Sequence, residues 1–107
     1  MKEFKGLVLC EFRSERVDVH VWADLAGGAL TVAGQDLGPQ VETFWGDDDY
    51  EYWYSFDREN TARLLAALGG EDDPAQAFLR EFSGLDGCRA LRNLCEKNGI
   101  RYKFFSY

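Results

Sequence analysis

Aromatic side chains fall on every second residue from Tyr50 to Phe56: Tyr50, Tyr52, Tyr54 and Phe56, with Glu51, Trp53 and Ser55 between them. A period of two puts alternate residues on opposite faces of an extended strand. The stretch therefore reads as a strand with one aromatic face, and that face needs a layer of structure packed on it. Asp57 follows directly and is a good helix N-cap. Glu59 sits favourably in the first turn, and Thr61, Leu64, Leu65 and Leu68 make an apolar stripe that ends at Gly69-Gly70. A chain with these two neighbours folds as sheet plus helix.

The remaining segments supply the other strands and helices. Leu7–Phe12 reads as a first strand and Arg13-Ser14-Glu15 as a polar break. Val17, Val19, Val21 and Ala23 alternate with Asp18, His20, Trp22 and Asp24, which marks a half-buried second strand. The break is short, so the two should form an antiparallel hairpin. Gly27-Gly28 turns the chain into a third strand over Ala29–Ala33, and Gly34–Pro39 reads as a loop. A short helix is expected over Gln40–Trp45, then an acidic turn at Asp47-Asp48-Asp49 before the aromatic strand.

Asp73, Pro74 and Gln76 have the spacing of a capped helix start, with Phe78, Leu79 and Phe82 as its buried face. Asp86 is placed to cap a further helix carrying Cys88, Leu91, Leu94 and Cys95 inward, closed by Asn98-Gly99. Ile100–Phe105 returns as a last strand. The order is β-β-β-(short α)-β-α-α-α-β over residues 1–107. It predicts a single α+β domain with a mostly antiparallel five-stranded sheet and helices mainly on one face.

Charge narrows the function classes. The formal net charge is −7, and residues 36–73 hold eleven of the nineteen acids but only Arg58 and Arg63 of the twelve bases. Phosphate binding needs a positive footprint, so nucleic acid is not an expected partner. No run reaches the roughly 18 apolar residues of a membrane span, and no signal peptide is read, so a cytoplasmic protein without membrane contact is expected. Cys10, Cys88 and Cys95 are odd in number. Cys88 and Cys95 lie about 10 Å apart along one helix at about 1.5 Å per residue, too far to bridge. Free thiols in a reducing compartment are expected.

Gly38-Pro39, Val41-Glu42, Phe44, Gly46-Asp47, Asp49-Tyr50-Glu51-Tyr52-Trp53 and Asn98-Gly99-Ile100-Arg101-Tyr102 together resemble a group of small bacterial proteins of about this length. That group carries a Gly-Pro loop, an Asp-Tyr-Glu-Tyr-Trp strand and a closing Gly-Ile-x-Tyr strand, and the resemblance covers most of the chain. It implies a bacterial origin. It brings no activity, cofactor or site residue with it.

No catalytic constellation stands out. His20 is the single histidine, and a Cys10–His20 pair needs a hairpin register that brings both to one face. Asp47, Asp48, Asp49 and Glu51 offer oxygen atoms to a hard cation but lack the spacing of a calcium loop. No zinc spacing, phosphate-binding glycine loop or cofactor motif is present. Three readings remain, the third being self-association through an exposed strand such as the one ending at Tyr107. The leading one is a non-enzymatic acidic protein-interaction domain, of which an immunity or inhibitor protein for a basic partner is one version. Its expected contact residues are Glu42, Trp45, Asp47, Asp48, Asp49, Glu51 and Trp53. Trp22 and Trp53 should be partly exposed if helices cover one side of the sheet only. The alternative is a small-ligand or metal-binding domain with a site between sheet and helices, holding Tyr52, Tyr54 or Trp53 among several carboxylates.

Overall fold

The computed structural model describes residues 2–39 and 49–106. Five strands form one antiparallel sheet in the order β1-β2-β3-β4-β5, which is also their order along the chain. They are β1 (Phe4–Arg13), β2 (Asp18–Ala26), β3 (Ala29–Leu37), β4 (Asp49–Phe56) and β5 (Lys103–Ser106). Three helices, α1 (Arg58–Leu68), α2 (Pro74–Phe82) and α3 (Gly87–Asn98), lie between β4 and β5 in sequence. The protein is an α+β domain with an open sheet, as the alternation and the caps predict. The short helix expected over Gln40–Trp45 lies outside the described residues.

All three described helices pack on one face of the sheet. Thr61 of α1 meets the β3 backbone at Leu30. Phe78 of α2 packs edge-on against Phe4 of β1 at 5.6 Å between ring centroids. Arg92 of α3 donates from Nη1 to the Tyr54 hydroxyl at 2.7 Å. Beneath them lie Val21, Ala23 and Leu25 of β2, Leu30 and Val32 of β3, and Tyr52, Tyr54 and Phe56 of β4, all buried with Leu64, Leu65, Phe78, Phe82, Leu91 and Cys95. The odd-even split expected for β4 is thus the split between core and far face.

The helix ends follow the expected chemistry at two of three starts. Asp57 accepts from the Asn60 backbone N–H at 2.8 Å and Asp73 from that of Gln76 at 3.3 Å. Asp86 sits at the start of α3 but makes no capping bond. Its backbone (φ −94°, ψ 3°) is not the extended form that aims a cap side chain at the helix, and its carboxylate lies 3.5 Å from Arg89 instead. Leu79, expected on the buried face of α2, is exposed. Pro74, Ala77, Phe78 and Phe82 define that face, and Leu79 is turned about 100° from Phe78.

Two strands are longer than their alternation suggests. β3 runs on to Leu37 through Gly34, which was expected to open a loop. Gly34 stands opposite Tyr52, and the hydroxyl end of the Tyr52 ring lies so close over it that a Cβ would overlap its Cζ, Cε2 and hydroxyl atoms. The glycine makes room for an aromatic side chain on the next strand. β1 begins at Phe4 and carries two extra residues against β2, one between Phe4 and Leu7 and one between Val8 and Cys10. Gly6 (φ 65°) sits in the first of these bulges and donates to Asp24 Oδ1 at 2.6 Å. The second lets both Leu9 and Cys10 turn inward, which simple alternation forbids.

Candidate functional site

Register assembles a surface on the sheet face opposite the helices. Antiparallel partners share a face, so one transverse row runs Val8, Trp22, Ala33, Trp53, Phe105 across all five strands. Val8 and Phe105 are each 54% exposed, and both indoles are partly exposed. Ala33, between the two indoles, is 4% exposed, a small residue flanked by large ones. Among the described residues no helix packs on this face.

Polar rows border the apolar one. On one side run Glu11, His20, Gln35 and Glu51, then Arg13, Asp18, Leu37 and Asp49. On the other run Asp24, Thr31, Ser55 and Lys103. Carboxylates outnumber cations in these rows, with Glu11, Asp18, Asp24, Asp49 and Glu51 against Arg13 and Lys103. Gln35 Nε2 holds the two β4 acids together, at 3.3 Å from Asp49 Oδ1 and 3.5 Å from Glu51 Oε1. Glu11 lies 3.5 Å from Arg13 and 3.7 Å from His20 Nδ1.

Of the residues expected at an interface, Asp49, Glu51 and Trp53 occur together on this face, at positions i, i+2 and i+4 of β4. Asp49 is the first residue of that strand, paired with Leu37, rather than part of a turn. Glu42, Trp45, Asp47 and Asp48 lie outside the described residues. Trp22 is two strands from Trp53 in the same row, as its alternation implies. Val8, Phe105 and Glu11 were missed. The bulge in β1 hides the first and third from a period-two reading, and Phe105 gains meaning only once β5 is paired with β4.

The helix-covered face carries a second cluster where the sheet extends past α3. A cavity of about 240 Å³ is lined by Asp36, Tyr50, Tyr52, Tyr54, Cys88, Arg92 and Phe104. Burial pushes the Asp36 carboxyl above its ordinary value, and a hydrogen bond from the Tyr52 hydroxyl partly offsets this. Asp36 Oδ1 is buried without a hydrogen-bond partner. Burial also raises Tyr54, opposed by its bond from Arg92, and raises Cys88. Among the described residues one carboxylate and one guanidinium converge here, not the several carboxylates expected of a ligand or metal cleft. A larger groove of about 580 Å³ between α2 and α3 has Glu81, Asn93, Glu96 and Lys97 at its rim and no such cluster.

The cysteine–histidine pair does not form. Cys10 stands opposite Val21 and His20 opposite Glu11, so the thiol and the imidazole are on different faces. All three cysteines are free. Among the described residues no group of three or more His, Cys, Asp or Glu side chains is placed to hold a metal, and no helix is long and apolar enough to cross a membrane. Comparison with protein-family models, with curated proteins and with solved structures finds no match.

Proposed function

We propose that this chain is a non-enzymatic interaction domain that binds a basic protein through the face of its sheet opposite the helices. The observation that carries the reading is the transverse row of Val8, Trp22, Ala33, Trp53 and Phe105, bordered by Asp24 on one side and by Glu11, Glu51, Asp18 and Asp49 on the other. Indoles in the centre of a contact, ringed by charge, are the usual anatomy of a protein interface. The acids steer a cationic partner and set its orientation, while the rings supply the contact area. An inhibitor or immunity role against a basic toxin is the specific version that the charge supports.

Capture of the partner from the source organism, followed by binding kinetics, tests this. Trp22→Ala should weaken binding at least about tenfold. A double Asp49→Lys, Glu51→Lys variant should lower the association rate, and the loss should shrink as salt is raised. Failure to capture a basic protein, or binding indifferent to all three changes, overturns the reading.

A second reading has its own observation, the unpartnered Asp36 Oδ1 beside a small aromatic cavity. Such a carboxyl fits a small-ligand site between sheet and helices. Thermal shift against metal ions and small metabolites separates the two. A shift abolished by Asp36→Asn favours the cavity, and no shift with any compound removes it.

A further inference from the structure

The two ends of the sheet are built differently. A terminal strand offers unpaired N–H and C=O groups to any further strand, and proteins usually block that edge. β1 is blocked. It carries two bulges, and the Leu9 carbonyl accepts from Gly84 N–H at 2.9 Å at the junction of α2 and α3. Among the described residues β5 has neither device. Its register against β4 runs without a shift from Lys103 to Ser106, it contains no proline, and all four residues are exposed. Phe104 is 48% and Phe105 54% exposed, one on each face of the sheet.

We propose that β5 pairs antiparallel with β5 of a second copy of this chain, about a two-fold axis perpendicular to the sheet, giving one continuous ten-stranded sheet. Such an axis maps each face onto itself, so a residue can oppose only residues of its own face. Centred on Phe104, the register sets Phe104 against the partner's Phe104 on the helix side. It sets Lys103 against the partner's Phe105 on the other side, and Tyr102 against the partner's Ser106. Ring meets ring, and each ammonium lies beside a phenyl group rather than beside the other ammonium. The segment from Arg101 to Ser106 carries two bases and no acid. The segment itself thus brings no carboxylate to the contact between two molecules of net charge −7, and Asp57 lies within electrostatic range of Lys103 behind it. A two-fold contact of this kind is isologous and closes on itself, and the β1 edge, bulged over Phe4–Cys10, is the poorer template for a further strand, so assembly stops at two rather than growing into a filament. The dimer would also join the two apolar rows end to end, but it does not depend on what those rows bind.

Sedimentation equilibrium of the full chain over a wide concentration range is the test, with two variants. The wild type should approach a dimer mass at high concentration, and Phe104→Asp should raise the dimer dissociation constant at least about tenfold. Phe104→Cys should form an intermolecular disulfide under mild oxidation much faster than Leu85→Cys, placed at another exposed site. The cross-link decides if Phe104→Asp unfolds the chain. A monomer at every concentration, a dimer unaffected by Phe104→Asp, or equal cross-linking at the two cysteines overturns the proposal.

Discussion

Asp36 is the residue whose chemistry agrees least with its surroundings. Its carboxyl is half-buried, one oxygen accepts from Tyr52, and the other has no partner. Desolvation raises its pKa above the ordinary 3.8, so the folded state holds the proton more tightly than the unfolded chain does. The sign follows: the favourable contribution is full below the unfolded pKa and is lost as pH rises through the folded value. At neutral pH the ionised carboxylate therefore costs stability. Asp36→Asn keeps an acceptor for Tyr52 and removes the charge. It should stabilise the protein by up to about 1 kcal/mol at neutral pH, after discounting for solvent screening. The gain over wild type should close as pH falls to about 4. Urea unfolding of both proteins at the two pH values checks this, and an equal or less stable variant at neutral pH defeats it. If the gain is found, Asp36 is retained for something other than folding, which strengthens the small-ligand reading of its cavity. None of this is visible in the sequence. There Asp36 is one acid in an apparent loop, because Gly34 looks like punctuation until Tyr52 is known to lie over it.

At the scale of elements, α1 is fastened by two side chains from one turn. Thr61, fully buried, accepts from the Leu30 N–H at 3.1 Å and donates to the Phe56 carbonyl at 3.4 Å, so one hydroxyl joins α1 to β3 and β4. Asn60 accepts from the Arg101 N–H at 2.8 Å and donates to Asp57 at 3.0 Å, tying the start of α1 to the chain entering β5. Thr61→Val keeps the shape but leaves the Leu30 N–H buried without an acceptor. It should cost about 1–3 kcal/mol, and Thr61→Ser, which keeps the hydroxyl, should cost less. Equal losses in the two variants, read from urea midpoints at constant slope, would show that the methyl group matters and the hydroxyl does not. The sequence places Thr61 on the buried stripe correctly but as one more packing position. Its partners are 31 and 5 residues away, and periodicity within a helix carries no information about a backbone group on another strand. The elements themselves were legible because β2, β4 and α1 state their period without interruption. β1 was legible only in part because two bulges break its period, and the Asp86 cap was misread because a cap depends on backbone angles as well as residue type.

Across the whole molecule, what the sequence conveys best is the layer arrangement and what it conveys least is which far-apart residues become neighbours. The far-face row joins positions 8, 22, 33, 53 and 105, and only the meander order of the sheet brings them into line. The same order closes the core around the thiols. Cys95 is 1% exposed, and burial pushes its pKa up to about 11. Cys10 is 7% exposed and also raised, by burial and by the nearby Asp36 carboxylate. Cys88 is only partly buried at the cavity wall. Reactivity requires an accessible thiolate, so native Cys95 should be alkylated only through opening of the core, and Cys88 should react first. Under fast reclosing the Cys95 rate reports the population of the open state, so Thr61→Val should speed it about tenfold for each 1.4 kcal/mol of stability lost. Mass spectrometry after timed alkylation resolves the three sites. Cys95 labelling as fast as Cys88 in native buffer, or unchanged in Thr61→Val despite a measured loss of stability, would show that α3 opens on its own. The sheet and helix layers would then not unfold as one cooperative unit.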